Sequence, residues 1–263
     1  MLAKLTGLML LGLIRLLTGA QARWRGCPPK AEQRIYFANH QSHLDLVMIW
    51  AALPEELRSI TRPIAARDYW ANTPFKRWIT TEVFNAIYVE RGGSAAVPPE
   101  PAAPPAPRER IEPSFEPAAA PPAEPPAEPA QVVQGELPLA APADAPAMPV
   151  PGSAEALLPL QPLIEALQSG DSIIIFPEGT RGHTGEPQKF KSGLFTLAQM
   201  FPDAVLVPAW IDNVQRVMPK GEVVPVPILC SVTFGEPLKL HDGEERRPFL
   251  DRAREAVIAL RYV

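Results

Sequence analysis

The sequence predicts an α/β fold. It is read as a single domain with a central, mostly parallel sheet flanked by helices, an N-terminal membrane-associated helix and a disordered Pro/Ala-rich insertion. Three observations carry this. Apolar runs of strand length alternate with segments of helical length, the pattern of α/β domains. One run, Ile173–Phe176 in "SIIIFPEG", is continuously apolar and then broken by proline and glycine, as in a strand buried on both faces. Composition also shifts sharply: 18 of the 34 prolines fall between residues 94 and 153, with eight acids and two arginines. Such a segment buries too little apolar surface to offset its ordering entropy. The expected organisation is therefore residues 1–25 as the membrane helix, 26–93 with 154–263 as the folded domain, and 94–153 as the insertion.

The first element is "LTGLMLLGLIRLLTG", apolar from Leu5 to Leu17 with Arg15 inside it. Fifteen helical residues span roughly 22 Å, short of a hydrocarbon core of about 30 Å. Lys4, Arg15, Arg23 and Arg25 favour a helix lying in the membrane interface, cations at headgroup level and leucines buried. A full span and a signal peptide cleaved near Ala20-Gln21-Ala22 are the alternatives.

"RIYFA" (34–38) then reads as a strand and "HLDLVMIWAAL" (43–53) as a helix ended by Pro54. "SITRP" leads a second strand up to Arg67. In "ANTPFKRWITTEVFNAI", Thr73 is the expected N-cap with Pro74 at the first helical position. Ala86–Val89 is a short strand ending at Glu90-Arg91. After the insertion, helical periodicity resumes from 154 to Gly170, followed by the strand 173–176. "FKSGLFTLAQMF" is a helix, "AVLVPAWIDN" and "ILCSVTFGEPL" are strands, and "RRPFLDRAREAVIALRYV" is the closing helix.

Charge and cysteine usage narrow the function classes. The net charge is −4, with a basic N-terminal third, but no basic–aromatic interleaving suggests nucleic acid. Cys27 and Cys230 form no C-x-x-C or zinc spacing and read as idle thiols in a reducing compartment.

Two polar clusters sit where strands end. In "NHQSHLD" (39–45), a neutral His40 can take a proton from a hydroxyl if a carboxylate fixes its tautomer. Asp45 serves if His40 lies in the turn and Asp45 in the first helical turn. The bland alternative is a helix N-terminus capped by Asn39 or Ser42, with Asp45 complementing the dipole. A Ser42 nucleophile lacks the G-x-S-x-G elbow. A metal on His40, His43 and Asp45 lacks a companion cluster around His183 or His241. The second cluster, "FPEGTRG" (176–182), places Glu178, Thr180 and Arg181 on a glycine-containing turn suited to a phosphate. Lys189 and Lys191 add two cations a few residues on, and Arg91 stands at the end of another short strand.

These residues carry a resemblance. "NHQSHLD" and "FPEGTRG", in this order, resemble the first and third signature blocks of the 1-acylglycerol-3-phosphate acyltransferase family. The first block, N-H-x4-D, is matched by Asn39, His40 and Asp45; the third by Phe176 through Arg181. "AIYVERGG" with Arg91 resembles the second block, although Asn85-Ala86 replace its usual glycine. "VLVPAW" with Pro208 resembles the fourth. The resemblance implies acyl transfer from acyl-CoA or acyl-carrier protein to the hydroxyl of lysophosphatidate, giving phosphatidate in phospholipid biosynthesis. It implies His40 as general base and Asp45 as its orienting partner. Arg91, Glu178, Gly179, Thr180, Arg181 and Lys191 would bind the glycerol-phosphate end. No metal or other cofactor is implied. The partners expected are the two substrates and the membrane surface, at the cytoplasmic face of the inner membrane. The alternatives are another lysolipid acceptor, such as a lyso-ornithine lipid, and a non-catalytic membrane scaffold.

Overall fold

A computed structural model describes residues 2–42, 44–90, 157–182, 185–217 and 226–262. The expected insertion 94–153, Arg91, His43 and His183 lie outside the described residues.

The chain opens with helix α1 (Leu2–Thr18) and strand β1 (Gln21–Trp24), then β2 (Arg34–Ala38), α2 (Asp45–Ala52), α3 (Glu55–Ser59) and β3 (Thr61–Ala66). Two short helices, α4 (Arg67–Trp70) and α5 (Pro74–Trp78), run into a π-helical turn at Ile79–Val83 and then β4 (Ile87–Val89). Beyond the insertion come α6 (Gln161–Gln168), β5 (Ser172–Ile175), α7 (Gly193–Met200), β6 (Val205–Asp212), α8 (Val214–Val217), β7 (Ser231–Phe234) and α9 (Arg246–Ala259).

The seven strands form one sheet in the order β1-β7-β6-β2-β5-β3-β4. All neighbours run parallel except β6 and β7, which are antiparallel. Alternation along β2 divides the core. Tyr36 and Ala38 face the layer that holds α2 and the inner side of α1. Ile35 and Phe37 face the layer that holds α6, α7 and α9. Both faces are covered, so β2 and β5 are buried along their whole lengths, as strands between helical layers must be.

The strand order creates a switch point. The chain leaving β2 goes to β3, beyond β5; the chain leaving β5 goes to β6, beyond β2. The two connections diverge over the carboxyl ends of adjacent strands, where open α/β sheets bind ligands. Pairing sets Phe37 against Ile175, so the segments starting at Asn39 and Phe176 emerge side by side.

Three sequence expectations need correction. The N-terminal element is not helical to residue 25. Helix α1 stops at Thr18, where the Thr18 hydroxyl donates to the Ile14 carbonyl and accepts the Ala20 N–H. Gly19 and Ala20 then take positive φ values of 69° and 36° and turn the chain into β1, which pairs with β7. A cut after Ala22 would halve that strand. Second, the helix expected within 71–87 is present over 74–83 but changes from α to π winding at Ile79, and Asn85 (φ 49°) turns the chain into β4. Thr73 does cap α5, accepting the Lys76 N–H. Third, Asn39 does not cap the helix after the NHQSHLD cluster, because its amide is bonded to Ile211; Leu44 holds the N-cap position without a side-chain bond of its own, and its N–H is accepted by Ser42 Oγ.

Cys27 and Cys230 are free and buried. Burial pushes both thiols up, Cys230 to about 11 with Asp212 contributing, so neither is ionised at neutral pH. No helix among the described residues is long and apolar enough to cross a membrane.

Candidate active site

His40 follows β2 by two residues, and Asp45 is the first residue of α2. The intervening turn brings His40 Nδ1 to 2.9 Å from Asp45 Oδ2. The same oxygen accepts the backbone N–H groups of Gln41 (2.6 Å) and Ser42 (2.8 Å). Asp45 is 1% exposed, so its Oδ2 meets these three donors inside the protein. An acceptor at Nδ1 keeps the imidazole proton there and leaves Nε2 with a free lone pair. Ser42 Oγ is turned inward, accepting the Leu44 N–H.

Asn39 anchors the turn from behind. Its amide donates to the Ile211 carbonyl (3.0 Å) and accepts the Ile211 N–H (2.8 Å), in a buried two-way bond with β6.

The FPEGTRG turn wraps His40 from the other side. The Phe176 ring stacks on the imidazole, centroids 4.4 Å apart and planes 20° from parallel. Glu178 Oε1 accepts the His40 N–H at 2.7 Å, and the His40 carbonyl accepts the Gly182 N–H at 2.8 Å. Glu178 Oε2 accepts the Gln188 N–H at 2.8 Å. The two motifs are thus one unit: ring plane, backbone donor and backbone acceptor of His40 are all fixed by the residues after β5.

This placement revises Glu178. The sequence reading put it among the phosphate-binding residues, but it is 2% exposed and each carboxylate oxygen already accepts a backbone N–H. An anionic group would also repel a phosphate. Its position is that of a brace. Burial pushes its carboxyl above the ordinary 4.5, against the pull of the Gln188 and His40 N–H groups.

Gly179 takes φ +71°, and the Lys191 side chain passes so close that a Cβ there would lie 2.6 Å from Nζ. The positive φ is what favours glycine there, since the Lys191 side chain could shift aside. Thr180 is exposed and its hydroxyl donates weakly to Gln188 Oε1 (3.4 Å). Arg181 is half-buried and Lys191 exposed, and neither forms an ion pair with a described residue. The structure therefore gathers His40, Asp45, Gly179, Thr180, Arg181 and Lys191 at one end of the sheet. Among the described residues no three His, Cys, Asp or Glu side chains converge to hold a metal.

The contacts that sequence reasoning missed are the Phe176 stack, the Asn39 bracket, the Gly182 bond and the Gln188 N–H. The first three belong to the quoted motifs, whose side-chain types hinted at them. Gln188 lies outside both, and nothing in its neighbourhood singles it out.

A strand–turn–helix base–carboxylate pair with adjacent cations suits transfer of a group to a hydroxyl. The acyltransferase family model matches residues 27–109 and 147–212, and the chain belongs to that family, the glycerolipid acyltransferases. A curated relative, the chloroplastic 1-acyl-sn-glycerol-3-phosphate acyltransferase LPAT1 of Arabidopsis thaliana, is 40% identical over 62 residues. That match covers 24% of this chain and 17% of the relative's length. The crystal structure of the 1-acyl-sn-glycerophosphate (LPA) acyltransferase PlsC from Thermotoga maritima has a TM-score of 0.56 at 17% identity. The likeness covers 99% of this chain and 82% of that one and is one of fold.

Proposed function

We propose that the protein moves a fatty acyl group from a thioester, acyl-CoA or acyl-carrier protein, to the free hydroxyl of 1-acylglycerol-3-phosphate, giving phosphatidate. The observation that supports this best is the His40–Asp45 pair, held by Glu178, Gly182 and Phe176 beside two cations that pair with no described residue. His40 Nε2 takes the hydroxyl proton as the oxygen attacks the thioester carbonyl. Asp45 stabilises the imidazolium so formed. When the tetrahedral intermediate collapses, the C–S bond breaks and the imidazolium returns the proton to the sulfur. The enzyme forms no covalent bond with the acyl group in this scheme. Arg181 and Lys191, with Arg91, bind the phosphate. The names of the Arabidopsis and Thermotoga proteins support a lysophosphatidate acceptor.

The substrates also partition into membranes, and α1 fits that setting. Its inner face buries Leu11 and Ile14, while Leu2, Leu5, Leu8, Met9, Leu13 and Leu16 are exposed. Lys4 and Arg15 flank this outward apolar stripe and are exposed with Arg23 and Arg25. We read α1 as an interfacial helix that docks the domain on an anionic bilayer.

The test is purified protein in detergent, with labelled acyl-CoA and a panel of lysolipid acceptors. Transfer to lysophosphatidate well above the others supports the reading. Preference for a lyso-ornithine lipid or another acceptor changes the substrate. No transfer to any acceptor, with biological function retained in His40→Ala, leaves a membrane scaffold.

A further inference from the structure

The brace on His40 is itself held from outside the two motifs. Arg254, on α9, donates from Nε to the Pro187 carbonyl at 2.7 Å. Its terminal nitrogen lies 3.7 Å from Glu186 Oε2. Pro187 C=O and Gln188 N–H belong to one peptide group. A peptide group is planar with these two bonds antiparallel, so fixing the oxygen aims the hydrogen. That hydrogen points at Glu178 Oε2 (2.8 Å), and Glu178 Oε1 takes the His40 N–H (2.7 Å). A single peptide plane therefore connects the guanidinium of Arg254 to the carboxylate that holds the base. A cation on the carbonyl also polarises the peptide and strengthens its N–H as a donor.

The anchor at the far end is rigid. Phe249, Ala253 and Val257 are fully buried against the sheet, so α9 has no freedom to follow the loop. Pro187 is buried, and the loop meets the His40 turn again where Gln41 Nε2 donates to the Gly185 carbonyl (3.3 Å). Glu186, by contrast, is exposed, and its pairing with Arg254 is a surface contact of small worth.

We propose that Arg254 is a positioning residue for acyl transfer, acting on His40 through the Pro187–Gln188 peptide and Glu178. This rests on the acyl-transfer reading for its kinetic test only. Sites need their reacting groups held by rigid elements, and small misplacements of a base are costly in rate. Arg254 touches no reacting atom, so its loss should lower kcat and spare substrate binding.

The experiment uses full-length protein and the variants Arg254→Ala, Arg254→Lys and Glu186→Gln, with acyl-CoA and lysophosphatidate. Arg254→Ala is expected to lower kcat about tenfold with both KM values within about twofold. Lysine can still donate to the carbonyl and should recover much of the loss, and Glu186→Gln should match the parent. Amide hydrogen exchange is read in parallel on peptides covering 38–46, where Arg254→Ala should speed exchange. An unchanged kcat, a lysine variant no better than alanine, or unchanged exchange at 38–46 overturns the proposal. If the parent transfers acyl groups to no acceptor, the function reading fails, and exchange at 38–46 still decides the positioning claim. If Arg254→Ala does not fold, Arg254→Gln takes its place under the same criteria.

Discussion

Four separate groups hold His40: Asp45 on the ring nitrogen, Phe176 on the ring face, and Glu178 and Gly182 on the backbone. Their loss should therefore be graded. His40→Ala is expected to lower turnover by about 10²–10⁴, the range for a lost general base. Asp45→Asn keeps the size but turns an amide against some of three donors and frees the tautomer; steady-state assay should find weak residual activity. Glu178→Gln makes a finer test. Its amide oxygen can accept one N–H, but its NH2 faces the other donor, at a cost of about 1–3 kcal/mol. The pH dependence has a defined sign. The folded protein binds the Glu178 proton more tightly than the unfolded chain. Its contribution to stability is thus full below the unfolded value of 4.5 and is lost as pH rises through the raised folded value. Melting temperatures of the parent, relative to Glu178→Gln, should fall between acid and neutral pH, while activity falls toward acid as the protonated carboxyl loosens its hold on two N–H groups. Arg181→Ala and Lys191→Ala should raise KM for lysophosphatidate roughly ten- to a hundredfold and leave that for the thioester near its starting value. Equal effects on both substrates would reject the phosphate assignment.

The elements were legible to different degrees, for physical reasons. β2 and β5 are buried on both faces, and burial writes itself into the sequence as an unbroken apolar run. The Thr73-Pro74 helix start was legible because a capping hydroxyl and a ring-fixed φ act locally. β1 was not. Its four residues alternate between exposed and half-buried, and its place is set by β7, distant in sequence. Glu178 was legible as important, but its role was not. A glutamate beside glycine and arginine suggests a surface turn, and only the register of β2 with β5 reveals that its neighbour is a backbone. α1 carries its own prediction. Leu8→Ser with Leu13→Ser and Leu16→Ser alters only exposed positions, so it should release protein from anionic vesicles in a flotation assay and leave its melting temperature nearly unchanged. Loss of folding together with binding would place the stripe in the domain's own core instead.

For the whole molecule, the insertion is the feature to test. Its flanks are pinned independently of it: Val89 of β4 and Leu157, just before α6, both pack against the core on the α6–α9 face. The composition of 94–153 predicts a passive tether. Closing a loop of about 60 rather than about 8 residues costs only ~1.8 kcal/mol on the logarithmic scaling of loop entropy. Replacing 95–152 with a short Gly/Ser linker should therefore keep specific activity and leave the melting temperature equal or slightly higher. A well-folded but inactive deletion would assign the segment a working part in catalysis or partner docking.

The pairing of β1 with β7 has a consequence for how the protein is made. β1 leaves the ribosome well before its partner β7, which is completed roughly two hundred residues later. At about 5–20 residues per second, that interval is on the order of ten to forty seconds. Throughout it, Leu11 and Ile14 have no finished domain to bury them, and α1 presents leucines on its inner and outer sides alike. A nearby bilayer is the ready solvent for such a helix. If α1 docks on a bilayer as proposed, the newborn chain meets that surface before its catalytic centre forms, and β7 closes the sheet afterwards.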